Sequence, residues 1–93
     1  MSITALHVMV EGRVQGVGFR AYVEREAKER GLRGWVRNRS DGQVEAVFSG
    51  DEEDVQSMIV ACHRGPRMSL VRAVKTEPHP PGDWRSFEVW PTV

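Results

Sequence analysis

Leu6, Val8 and Val10 alternate with His7, Met9 and Glu11, the period-two pattern of a half-buried strand that runs up to Gly12. The rhythm then changes. From Arg20 to Arg30, Tyr22, Val23, Ala27 and Arg30 follow helical spacing, and Glu24 with Lys28 and Glu26 with Arg30 stand at i,i+4 in the favourable order. Gly31 is placed to close that helix. Gly34–Asn38 and Val44–Phe48 read as strands, and Asp41-Gly42 between them marks an antiparallel hairpin. Asp51 is an expected N-cap for a second helix, with Glu52, Glu53 and Asp54 in its first turn and Val55, Met58, Ile59 and Cys62 as its apolar stripe. After the Gly65-Pro66 break, Leu70 to Thr76 reads as extended, Pro78 to Gly82 as a loop, and Phe87–Trp90 as a last short strand stopped by Pro91.

The order β-α-β-β-α-β with an added terminal strand predicts an α+β fold of the ferredoxin-like, split βαβ kind. Two helices should cover one face of a mostly antiparallel sheet of four to five strands. At 93 residues the expectation is one domain over 1–93, and 40% apolar residues suffice for a modest core.

Thirteen basic and thirteen acidic side chains balance, so no global field favours nucleic acid or an anionic membrane. An anion site would have to be local. A single cysteine, Cys62, excludes an internal disulfide framework and a cysteine-rich zinc site, and His7, His63 and His79 lack ligand spacing. His7 is read as a solvent-side strand residue and His63 as a cation at the helix C-terminus. The start MSITALHVMVEG lacks the basic and long apolar stretches of a signal peptide, and no segment is long enough to span a bilayer. The expectation is a cytoplasmic monomer with no metal, cofactor, nucleic-acid or membrane partner.

The segment GRVQGVGFR, Gly12 to Arg20, carries three glycines between the first strand and the first helix. Such a turn can present several backbone N–H groups beside the positive end of a helix dipole, which makes an anion cradle. The glycines alone equally allow a tight β-to-α connection with positive φ. Arg20 tips the balance, because a guanidinium at the helix start can meet the same anion with paired hydrogen bonds, and phosphate fits that geometry best.

Other readings of these residues fail on spacing. Gly16-Val17-Gly18-Phe19-Arg20-Ala21 satisfies the dinucleotide pattern, but a hairpin follows it rather than a parallel strand carrying a ribose-binding acid. A Walker loop would need Gly-Lys-Ser/Thr, which is absent. Cys62-His63-Arg64-Gly65-Pro66-Arg67 resembles a phosphatase cysteine loop with one residue too few between Cys and Arg, and Cys62 lies on the apolar stripe. Core packing is the better reading there.

Val10 to Arg20 and Gly34 to Val44, with Gly50 closing the second block, resemble the two signature segments of the acylphosphatase family. The resemblance implies a small metal-independent hydrolase that splits acyl phosphates into a carboxylate and phosphate. It further implies that Arg20 binds the phosphoryl group with the amides of Gln15, Gly16, Val17, Gly18, Phe19 and Arg20, and that Asn38 positions the attacking water. Inorganic phosphate would be product and inhibitor. One departure is the C-terminal Trp90-Pro91-Thr92-Val93, where the family often has a terminal aromatic, commonly tyrosine.

The chemistry suits these residues. A carboxylate leaving group, with a conjugate acid of pKa about 4, needs no general acid. A loose phosphoryl transition state is served by positioning and by charge on the equatorial oxygens. The Asn38 carbonyl can accept a hydrogen bond from water while its NH₂ donates elsewhere. Without the motif, Asn38 reads equally well as a residue bonding its own turn. The proton of the attacking water is expected to pass to a phosphate oxygen of the substrate. The competing class is a non-catalytic ferredoxin-like anion-binding module. An RNA-binding sheet would need a basic aromatic face, and Trp35 is expected to pack at a strand edge instead. The acylphosphatase-like segment of larger carbamoyl-transfer maturation proteins is a further alternative.

Overall fold

The computed structural model describes residues 2–93. Its elements are β1 (Ile3–Arg13), α1 (Phe19–Glu29), β2 (Arg33–Asn38), β3 (Val44–Asp51), α2 (Glu52–Arg64), β4 (Leu70–Pro78) and β5 (Phe87–Val89). They form one five-stranded sheet in the order β4-β1-β3-β2-β5. All pairings are antiparallel except β2 with β5, which is parallel. This is the expected ferredoxin-like α+β arrangement.

Alternation decides which side chains meet the helices. Val8 and Val10 of β1, Val36 of β2, Val44, Ala46 and Phe48 of β3 and Phe87 of β5 are buried together with Phe19, Tyr22, Val23 and Ala27 of α1 and Val55, Met58, Ala61 and Cys62 of α2. Asn38 continues the series Gly34, Val36 on that same face, so the strand's period delivers a polar amide to the edge of the core. The phenol of Tyr22 donates to the Ala61 carbonyl at 2.8 Å and ties the two helices together.

α1 ends as its sequence predicts. Gly31, at φ 67°, donates to the Lys28 carbonyl and Leu32 to that of Ala27, the bond pair of a Schellman motif. Both expected i,i+4 pairs form, Glu24 with Lys28 at 3.0 Å and Glu26 with Arg30 at 2.9 Å. The hairpin closes through Asp41, whose carboxylate accepts the Gln43 N–H at 3.0 Å.

Several expectations need correcting. Asp51 precedes α2 but makes no side-chain capping bond. The N-terminal end of α2 is instead satisfied electrostatically by Glu52, Glu53 and Asp54. β1 runs to Arg13, through a register shift between Glu11 and Gly12 where it pairs with β4. Gly12 adopts φ 130°, and a Cβ there would lie 2.1 Å from the Leu70 carbonyl oxygen. The first glycine of the motif therefore serves the sheet, since only a residue without a side chain lets β4 approach so closely. β4 extends to Pro78, into the segment expected to be a loop. Trp35 is not at a strand edge: β5 pairs with the outer side of β2, and the Trp35 ring stacks on Trp90 with centroids 4.3 Å apart.

Candidate active site

Two buried anchors shape the loop between β1 and α1. Val14 at its start and Phe19 at its end are in the core, so the backbone between them is pushed outward. Gly16 and Gly18 take φ of 75° and 79°, Gly18 as the residue before the helix. A Cβ at either would meet nothing within 4 Å. Glycine is needed there for the left-handed turn and not for lack of room.

That turn leaves main-chain donors free. Among the described residues, the N–H groups of Gln15, Gly16, Val17 and Gly18 donate to no carbonyl, and the first helical bond of α1 is from Tyr22 to Gly18 at 3.0 Å. Phe19, Arg20 and Ala21 are thus the first-turn donors that helix geometry cannot pair. No acidic side chain stands in this turn, in contrast to three in the first turn of α2. The positive end of α1 is open to an outside anion, while that of α2 is neutralised by its own sequence.

These groups face a cavity of about 390 Å³ walled by Gln15, Gly16, Gly18, Phe19, Arg20 and Asn38, together with Val14, Ala21, Glu24 and Val89. Six of the seven residues singled out from the sequence therefore share one cavity. Val17 is the exception: its side chain packs against the core, leaving only its backbone toward the loop. Arg20 makes no ion pair or side-chain hydrogen bond with another described residue. The nearby carboxylate of Glu24, one turn along α1, is held instead by Lys28.

Asn38 reaches this cavity from the end of β2. Its Oδ1 is buried and has no hydrogen-bond partner among the described residues. The alternative reading of Asn38 as a turn-bonding residue fails, since Asp41 performs that task. The Asn38 main chain is fixed by the C-terminal residues: its carbonyl accepts the Val93 N–H at 3.2 Å, and the Val93 carbonyl accepts the Ser40 N–H at 2.6 Å. Glu24, Val89 and this C-terminal brace were not found from the sequence. Glu24 carried a signal, lying four residues beyond Arg20 on one helix face, whereas Val89 and Val93 depend on the non-local pairing of β5 with β2.

A family model described as Acylphosphatase matches residues 6–89. The chain belongs to the acylphosphatase family. It is 48% identical to an acylphosphatase from a Synechococcus strain, over 95% of this chain and 94% of that protein. An acylphosphatase from Haloarcula marismortui is 46% identical over 96% and 98% of the two chains. The solved acylphosphatase of Coxiella burnetii superimposes with a TM-score of 0.92 at 38% identity, covering 95% of this chain and 93% of that one.

Two other ionisable groups of the chain have pronounced surroundings. Burial pushes the Cys62 thiol up to about 12, so it is a packing group and not a nucleophile, as its place on the α2 stripe suggested. On the helix-free face of the sheet, Glu45 is only 7% exposed. Its carboxylate meets His7 at 2.6 Å, Arg37 at 2.7 Å and Arg39 at 2.9 Å. Burial alone would raise the Glu45 carboxyl, but hydrogen bonds from His7, Arg37 and Arg39, with the Arg37 charge, hold it down to about 2. His7 is thus on the solvent side of the sheet, as expected, and is paired there with Glu45. Among the described residues no three metal-ligating side chains converge, and no helix is long and apolar enough to cross a membrane.

Proposed function

We propose that this chain hydrolyses acyl phosphates, the reaction of the acylphosphatase family, by gripping the phosphoryl group with Arg20 and the amides of residues 15 to 20 while Asn38 aligns the attacking water. The bond between phosphorus and the carboxyl oxygen breaks, the carboxylate leaves, and the water oxygen becomes the fourth oxygen of inorganic phosphate.

The Asn38 Oδ1 carries this reading. A buried acceptor without a partner costs about 1–3 kcal/mol, so the Asn38 Oδ1 calls for a partner from outside the protein, such as a water. Asn38 lines the same cavity as an unpaired guanidinium and a row of unpaired N–H groups. Donors surround the seat of an anion, and one acceptor stands where a water must be turned. The phosphoryl oxygens take the donors, Oδ1 accepts a hydrogen bond from the water, and the lone pair of that water is left pointing at phosphorus.

The remaining steps make few demands on the protein. The carboxylate leaves without protonation, and the water proton passes to a phosphate oxygen of the substrate. Charge gathering on the equatorial oxygens meets Arg20 and the start of α1. Glu24 would compete for Arg20 if free, and Lys28 holds it aside. Every group used comes from one copy of the chain, so the reading needs no second copy and calls for neither metal nor cofactor.

Hydrolysis of benzoyl phosphate, followed with increasing inorganic phosphate and again with a chelator, tests this reading. Turnover should be inhibited competitively by phosphate and be indifferent to chelation. Absence of hydrolysis, or activity that needs an added divalent cation, would refute it.

A further inference from the structure

Gln15 opens the cradle, yet its side-chain amide is bonded to the neighbouring hairpin. Its amide nitrogen donates to the Arg39 carbonyl at 2.7 Å and to the Gln43 carbonyl at 2.8 Å. These carbonyls stand at the mouth of the β2–β3 hairpin, one residue beyond Asn38 and one before Val44, and Asn38 and Val44 are themselves paired across the strands. Both hydrogens of one NH₂ group are therefore spent bridging the cradle to the two strand ends that carry Asn38. Chemistry fixes the orientation of the amide: turned over, its oxygen would face two carbonyl oxygens at the same distances.

No other side-chain hydrogen bond among the described residues joins this loop to the hairpin. Without it, the cradle would be anchored to β1 and α1 while Asn38 followed the hairpin and the C-terminal brace. The phosphoryl group and the water are thus held from β1 and β2, which flank β3 in one sheet, and the Gln15 amide ties the loop itself to the hairpin. Their relative placement must be kept to a fraction of an ångström for in-line attack, and a misplacement of about 1 Å costs roughly 10²-fold in rate.

We propose that Gln15 is a positioning residue for hydrolysis, its side-chain amide locking the phosphate cradle in register with the Asn38 hairpin. This rests on the roles of Arg20 and Asn38 given above. The Gln15 N–H contributes to the cradle with the other loop amides, whatever its side chain is. Removing the side-chain donors should therefore slow the chemical step while leaving phosphate binding in place.

The test compares Gln15→Met, which keeps the length and removes the donors, with Gln15→Glu, which puts carboxylate oxygens against the two carbonyls. Gln15→Met should lower kcat by roughly 10- to 100-fold, with KM for benzoyl phosphate and inhibition by inorganic phosphate changed less than about threefold. Gln15→Glu should be slower still near neutral pH. It should recover relative to the parent as the pH falls below about 5, where a protonated carboxyl can donate to one carbonyl again.

A double-mutant cycle separates this proposal from the reading beneath it. If Gln15 acts through Asn38, the Gln15→Met loss should largely vanish in an Asn38→Ala background. Losses that multiply would overturn the proposal and leave Asn38 in its role. So would a parallel collapse of phosphate inhibition, or the absence of any low-pH recovery in Gln15→Glu. Full turnover in Asn38→Ala alone would sink both.

Discussion

Asn38 is buried on one side by its strand and left unpaired at Oδ1, and that combination separates its two possible duties. A residue that shapes the loop would affect phosphate binding and turnover together. One that aligns water should affect only turnover. Asn38→Ala is expected to lower kcat by on the order of 10²-fold or more, the scale of removing one oriented hydrogen bond from a transition state, with phosphate inhibition largely retained. Steady-state kinetics with phosphate as a dead-end inhibitor checks this, and an equal loss of inhibition would make Asn38 a structural residue. The residue types of this site were legible in the sequence because Arg20 and Asn38 carry their chemistry in their side chains and sit in two long motifs. The second duty of Gln15 was not. A glutamine in a loop announces no partner, and its two acceptors, Arg39 and Gln43, lie 24 and 28 residues away.

At the scale of elements, local signals marked the helices, the hairpin and the cradle. Alternation revealed β1, and the Asp41-Gly42 turn revealed the pairing of β2 with β3. The three glycines of the motif looked alike, but they answer to different forces. Gly16 and Gly18 turn the loop in open space, and Gly12 admits the β4 backbone where β4 carries the extra residue Arg72. Nothing in the neighbourhood of Gly12 distinguishes it, since the close approach comes from Leu70. The consequence is measurable. Gly12→Ala combines a disfavoured φ with a backbone clash and should destabilise the protein by roughly 2 kcal/mol or more in urea unfolding. An Ala variant as stable as the parent would show that β4 can move aside at little cost.

Across the whole molecule, the sheet separates two kinds of polar chemistry. The helix-facing side ends in the cavity with its unpaired donors, and the opposite side holds the Glu45 cluster, in which one carboxylate meets two guanidiniums and an imidazole. The parallel docking of β5 beside β2, which closes the cavity with Val89 and braces Asn38 through Val93, was invisible in the sequence, because strand order is set by packing between distant segments. The Glu45 cluster predicts how stability depends on pH. Its carboxyl falls from an ordinary 4.5 to about 2 on folding, so the contribution is fully present above about 4.5 and is lost as the pH falls through about 2. Glu45→Gln should therefore be less stable than the parent at neutral pH, with the gap closing between those two values. Urea unfolding across that range checks it, and a gap that stays constant would place the stabilisation elsewhere.

The central claim is that Arg20 and the loop amides form one phosphoryl seat, and binding linkage reads it on the folded chain as a whole. Saturating inorganic phosphate should raise the Tm of the parent protein, by the equivalent of about 2.7 kcal/mol at a hundred times its Kd. In Arg20→Ala both that shift and the hydrolysis of benzoyl phosphate should disappear, while the Tm without phosphate stays near the parent value. An Arg20→Ala protein that still melts higher with phosphate and still turns over would contradict the account.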